Sequence, residues 1–228
     1  VCSSDLPLFG GQSPIAPGAT LQKLSGEFDF TEGPTSDKAG NVFFTDQPKN
    51  RIMKWGVDGK LSTFLEPARR ANGMFFDRKG QLIACADENT ELVSISPKGE
   101  FTVLLKAHAD KALNGPNDVW VRRDGSMFFT DPFYKRPWWS YNAPPQGTEQ
   151  VYFLGADHKT LRRVTTDIKQ PNGIIGSADG RTLYVADIGA GKTYRYRVAR
   201  DGSLSDKTLF CEKGSDGMTL DNEGNLYL

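Results

Sequence analysis

Apolar residues along the chain come in short runs of five or six, and no stretch longer than one turn shows helical spacing. Val42-Phe43-Phe44-Thr45-Asp46, Phe128-Phe129-Thr130-Asp131 and Leu183-Tyr184-Val185-Ala186-Asp187 are β-branched and aromatic runs that each stop at an aspartate. Between them lie paired runs: Arg51–Val57 with Lys60–Leu65, Leu92–Ile95 with Phe101–Leu105, Val151–Leu154 with Leu161–Val164, and Tyr194–Val198 with Leu204–Phe210. Asp58-Gly59, Lys98-Gly99 and Asp201-Gly202 join three of these pairs with hairpin-turn chemistry. The pattern predicts an all-β chain of antiparallel strands.

The pattern also repeats. Five segments share one plan: Glu32-Gly33-Pro34 to Asp46, Asn72-Gly73-Met74 to Asp87, Asn114-Gly115-Pro116-Asn117-Asp118 to Asp131, Pro171-Asn172-Gly173 to Asp187, and Ser215-Asp216-Gly217-Met218 to Leu228. Their turn glycines, Gly40, Gly80, Gly125, Gly180 and Gly224, are separated by 40, 45, 55 and 44 residues, the period of a four-stranded propeller blade. With four strands per repeat, the starts of the first strands, the second-to-third loops and the crossings between repeats all share one end. First strands are innermost, so Glu32, Asn72, Asn117, Asn172 and Asp216 are predicted to converge at the axis.

Each of those five side chains carries an oxygen. Hard oxygen donors suit Ca²⁺, which takes six to eight of them, and two carboxylates would neutralise a divalent charge. No Cys or His falls in the set, against soft-metal or zinc-type ligation. The competing reading is structural, since Asn-Gly, Asp-Gly and Glu-Gly are ordinary turn dipeptides. The aspartates that end the second strands (Asp46, Asp87, Asp131, Asp187) are expected to accept backbone N–H bonds in the following loop, with Asp187 a candidate supporting or catalytic carboxylate. The longest second-to-third loop, Asp131 to Pro145, is rich in aromatics and proline. It suits stacking on sugar rings, and equally packing on a neighbouring blade.

Composition narrows the class. Lys+Arg 28 balances Asp+Glu 28, and without basic clusters nucleic acid is not an expected partner. No apolar run reaches the roughly 20 residues of a membrane helix, so no membrane partner is expected either. Hydrophobic residues at 38% and aromatics at 11% suit a packed core rather than disorder. Cys2, Cys85 and Cys211 show no CxxC spacing and suggest neither a disulfide framework nor a zinc site; Cys85 and Cys211 read as small buried hydrophobes. Two histidines and no Ser–His–Asp order argue against a serine-hydrolase mechanism. Residues 1–6 read as the in-frame translation of a sequencing adapter and are expected to be a non-native leader, with 7–20 a loop or linker and 21–228 one propeller domain.

Glu32-Gly33-Pro34, Pro116-Asn117-Asp118-Val119, Phe129-Thr130-Asp131-Pro132, Gln170-Pro171-Asn172-Gly173 and Ser215-Asp216-Gly217-Met218 together resemble the motif series of the senescence marker protein/gluconolactonase (regucalcin-like) family. The resemblance covers about residues 27–228. It implies a six-bladed propeller, with this chain incomplete in its fifth repeat because six blades need roughly 60–80 further residues. It also implies one divalent cation in the central channel, Ca²⁺ foremost with Zn²⁺, Mn²⁺ or Fe²⁺ as alternatives, and hydrolysis of sugar lactones. Carried over by motif, the ligands would be Glu32, Asn117, Asn172 and Asp216, with Asp216 also the general base. Asn72, Asn114 and Asn117 would contact substrate. Phosphotriesterase-like ester hydrolysis on the same site and a non-catalytic interaction propeller are the alternatives.

Overall fold

The computed structural model describes residues 16–228; the expected leader, Cys2 and most of the expected linker lie outside them. Strands β1 (Thr31–Ser36), β2 (Val42–Asp46), β3 (Arg51–Trp55) and β4 (Leu61–Leu65) form a four-stranded antiparallel sheet in chain order. β5 (Ala71–Phe76), β6 (Leu82–Ala86), β7 (Glu91–Ile95) and β8 (Phe101–Leu105) form the second. A two-residue ribbon, β9 (Ala107–His108) with β10 (Lys111–Ala112), sits in the crossing to the third sheet. That sheet holds β11 (Val119–Val121), β12 (Met127–Asp131), β13 (Gln150–Leu154) and β14 (Leu161–Arg163). The fourth holds β15 (Pro171–Gly176), β16 (Thr182–Asp187), β17 (Lys192–Val198) and β18 (Leu204–Cys211). β19 (Thr219–Leu220) and β20 (Leu226–Tyr227) pair as a fifth unit. Among the described residues the only helix is one 3₁₀ turn, Ile188–Ala190, and none is long and apolar enough to cross a membrane.

Turn chemistry sets the hairpins. Gly40, Gly80, Gly125, Gly180 and Gly224 all have φ between +76° and +89°, a region where a Cβ is strained. Beside each, an aspartate ties the turn: Asp37 Oδ1, for example, accepts from Ala39 N and Asn41 N, both at 2.9 Å.

Period-2 alternation then fills the spaces between sheets. In β6, Leu82, Ala84 and Ala86 pack with Phe43, Ile52 and Met74 of the first space, while Ile83 and Cys85 point the other way, to Val119, Met127 and Tyr152. Phe128 and Val151 of the third sheet meet Ile174, Leu183 and Tyr196 of the fourth. Because both faces of β6, β12 and β13 are covered, every residue in them is buried. At about 25 cal/mol per Å² of apolar surface removed from water, these three seams supply most of the folding drive. The Cys85 thiol, buried in the second seam, is pushed well above its ordinary pKa by burial, which keeps it unreactive. Cys211 differs from expectation: it is partly exposed at the end of β18.

Candidate functional site

Glu32, Asn72 and Asn172 each hold the second position of an innermost strand, and the ladder skips at that point. Pairing jumps from Glu32 to Thr35, from Ala71 to Met74 and from Pro171 to Ile174. These are β-bulges, which re-aim a side chain. The glycine beside each oxygen-bearing residue answers a close approach: a Cβ on Gly33 would lie 2.4 Å from Asn72 O, on Gly73 2.5 Å from Asn117 O, and on Gly173 2.7 Å from Asp216 O. Gly73 N donates to Asn117 O at 2.8 Å and Gly173 N to Ser215 O at 3.4 Å. The Xaa-Gly pairs are thus not hairpin turns. They are places where one sheet's main chain rests on the next.

The third and fourth sheets are joined by Asp118, whose Oδ2 accepts from Ile174 N at 3.0 Å and whose Oδ1 accepts from Val119 N at 2.9 Å. The Glu32 carboxyl of the first sheet interacts with that of Asp216 in the fifth unit. Burial, then the charges of Asp216 and Asp118, push the Glu32 pKa up to about 8 despite a bond from Gly33 N. Burial also lifts Asp118 to about 7, with Asp216 adding to it.

Two amides add buried oxygens. Asn72 and Asn172 are 2% and 3% exposed, and the Oδ1 atoms of both are buried with no hydrogen-bond partner. Leaving a buried acceptor unpaired costs about 1–3 kcal/mol, so an orphaned pair at the axis marks a place for a ligand that takes oxygens. Among the described residues no group of three or more His, Cys, Asp or Glu is disposed to hold a metal. Glu32 and Asp216 with the amide oxygens nevertheless fit a hard divalent cation, because the carboxylates balance its charge and the amides complete its shell without repulsion.

Of the other expected site residues, Asn117 joins the circle through its backbone and is 6% exposed. Asn114 does not join it. Its Nδ2 donates to Asp131 O at 2.9 Å and Thr148 O at 2.8 Å, its Oδ1 accepts from Gln146 N at 2.9 Å, and it is fully buried. With donors and acceptor all used, its amide braces the loop.

The strand-end aspartates work differently from expectation. Asp46, Asp131 and Asp187 accept from the segment entering their own sheet: Asp29 and Phe30, Asn114 and Gly115, Lys169 and Gln170. Only Asp187 also takes an N–H from the loop that follows, Ala190 N at 3.2 Å. Asp87 binds side chains, accepting from Gln47 Nε2 and Arg136 Nε, both at 2.6 Å.

Arg136 belongs to the long loop 132–149, which reaches over two neighbouring sheets. Trp138 and Trp139 donate indole N–H bonds to Asp87 O at 3.3 and 2.7 Å, and the Arg70 guanidinium lies 4.2 Å above the Trp138 ring centre. The tryptophans therefore pack on the second sheet. On the other side, the Tyr134 hydroxyl accepts from Asn172 Nδ2 at 3.0 Å. Sequence reasoning assigned no role to Asp118 or Tyr134. Asp118 stood in the quoted Pro-Asn-Asp motif, and Tyr134 stood among the loop aromatics.

A β-propeller with an oxygen-lined site on its axis is the class that this fold and geometry define. The chain belongs to the SMP-30/Gluconolactonase/LRE-like region family, which it matches over residues 30–228. It is 25% identical to a gluconolactonase from Zymomonas mobilis, over 91% of this chain and 66% of that protein. The structure of a gluconolactonase from Xanthomonas campestris superposes with a TM-score of 0.81 at 30% identity, covering 89% of this chain and 70% of the other. Regucalcin from Agrobacterium tumefaciens, described as a calcium-binding protein, shares the fold at 19% identity and a TM-score of 0.70, over 89% of this chain and 68% of its own. At 66% of the Zymomonas protein, the chain spans just under two thirds of that curated relative's length.

Proposed function

We propose that the protein is a metal-dependent lactonase that opens sugar lactones by hydrolysis, with Ca²⁺ the foremost cation. What carries the reading is the axial circle, where Glu32 meets Asp216 and the buried Oδ1 atoms of Asn72 and Asn172 have no partner. Membership of the family, and likeness to proteins named gluconolactonase, support lactones as the substrate class.

Glu32, Asn172 and Asp216, with Asn117 beside them, would hold the cation, which when bound supplies Lewis-acid polarisation of a carbonyl and a lowered pKa for water. Asp216, exposed where Glu32 is half-buried, would take the proton from the attacking water as general base. Asn72, on the same circle, would meet the substrate's polar edge. The bulge contacts keep these groups at fixed spacing, so little reorganisation accompanies the reaction.

Base uptake at constant pH with glucono-δ-lactone tests this. Turnover should vanish in chelator and return with Ca²⁺, Zn²⁺ or Mn²⁺. Cation binding with lactone opening only at the background rate would overturn the substrate class, and chelator-insensitive turnover would overturn the metal mechanism.

A further inference from the structure

Asn172 offers an oxygen at one end of its amide and an N–H₂ at the other, and only the oxygen can serve a cation. Its Nδ2 donates to the Tyr134 hydroxyl at 3.0 Å, while its Oδ1 is buried and unpartnered. The residue is 3% exposed, so water does not decide which way the amide turns. Tyr134 makes the hydrogen bond that holds the amide, and with the N–H₂ end on the phenol oxygen the carbonyl end is left for a cation.

Tyr134 is itself held from a distance. The Arg136 guanidinium lies 5.8 Å from its ring centre and forms a 2.6 Å ion pair with Asp87 on the second sheet. Trp139 fastens the same loop to the Asp87 carbonyl and stacks on Tyr141 at 5.1 Å between ring centres. The loop leaves the third sheet, is pinned on the second, and puts its phenol on the fourth. We infer that Tyr134 is a positioning residue for the cation site: it holds the Asn172 amide by its N–H₂ end so that Oδ1 is kept for the cation, and loop 132–149 is the strap that holds it there.

This inference rests on the cation reading above, and one experiment separates the two. Ca²⁺ affinity is measured on the whole chain by competition with a chromophoric chelator, for the parent protein, Asn172→Ala, Tyr134→Phe and the Tyr134→Phe/Asn172→Ala pair. Removing a group that orients a ligand costs about 10–100-fold in metal affinity, and that loss is expected for Tyr134→Phe. An alanine at position 172 leaves the phenol no amide to hold. In the Asn172→Ala background Tyr134→Phe should therefore leave affinity unchanged.

An equal loss in both backgrounds would overturn the positioning role, because it would report general loosening of the loop. No loss with asparagine present would overturn it as well. If Asn172→Ala binds Ca²⁺ like the parent protein, or the parent binds none, the cation reading itself fails, and this inference falls with it.

Discussion

The two ends of the propeller carry carboxylates at matching points of the repeat and treat them in opposite ways. At the end with the first-to-second strand turns, Asp37, Asp124, Asp179 and Asp221 are bonded within their own turns and lie below the usual carboxylate range. Burial opposes the shift at each, and side-chain and backbone bonds from the turn outweigh it; for Asp221, bonds from Asn225, Tyr227 and Glu223 bring it to about 2. At the other end burial dominates. Glu32 rises to about 8, Asp118 and Asp131 to about 7, and Asp87 to about 6. Periodic recurrence of an acid is therefore no sign of function by itself. An acid bonded within its own exposed turn is a turn device, whereas Glu32, partly buried beside Asp216 and Asp118, is the one that suits a positive charge.

The sharpest way to break this contrast is Asp216→Asn, which removes the proposed base. Turnover should fall by about 10²–10⁴-fold, with near-UV circular dichroism and the melting temperature retained; unchanged activity would remove Asp216 from the mechanism. Next comes Gly73→Ala, whose methyl would sit 2.5 Å from Asn117 O and 2.6 Å from Asp118 Cα. Overpacking of this kind costs about 1–3 kcal/mol, and here it should also weaken Ca²⁺ binding, because it parts two neighbours of the axial circle.

A pH series sharpens the comparison further. The raised acids bind protons in the folded chain that the unfolded chain has already lost above about pH 4, so their contribution to stability is full below that point. It declines as pH rises through about 7 to 8. Urea midpoints in chelator should thus be lower at pH 8 than at pH 5, and Glu32→Gln should flatten the upper part of the decline. Ca²⁺ affinity should rise over the same interval as Glu32 loses its proton. The lowered acids act in the opposite sense: they stabilise above pH 4, and this is lost as pH falls toward about 2. The smallest effect is expected at the far end, where Asp37→Asn should shift stability by about 0.5 kcal/mol or less and leave turnover and Ca²⁺ affinity unchanged.

Strand positions and the axial circle were legible because both follow from local rules. A two-residue period and turn glycines locate the hairpins, and strand parity then assigns each loop to an end. Arg51–Val57 with Lys60–Leu65 became β3 and β4 almost residue for residue. What stayed hidden depends on contacts between repeats. The bulges at Glu32, Ala71 and Pro171 arise from the neighbouring sheet's backbone, which no single segment encodes. Asp131 reaching back to Asn114 and Gly115, in place of the loop ahead of it, is a question of direction that spacing does not settle. Asn114 enters the site only through the family resemblance, and the partners of its amide, Thr148 and Gln146, lie over thirty residues away. Tyr134 was one aromatic among several until the loop's path put its hydroxyl on Asn172.

Asp131 and Gln150 face each other as the last rung of the β12–β13 ladder, so the eighteen residues between them leave and re-enter the sheet at one point. In protein-engineering terms that stretch is an exchangeable cassette. A replacement that keeps both rungs inherits a closed hairpin and the bulged circle beneath it, neither of which draws its backbone pairing from the loop. Substrate preference can then be redrawn by library selection within one contiguous segment, provided that a hydroxyl is returned to the position of Tyr134.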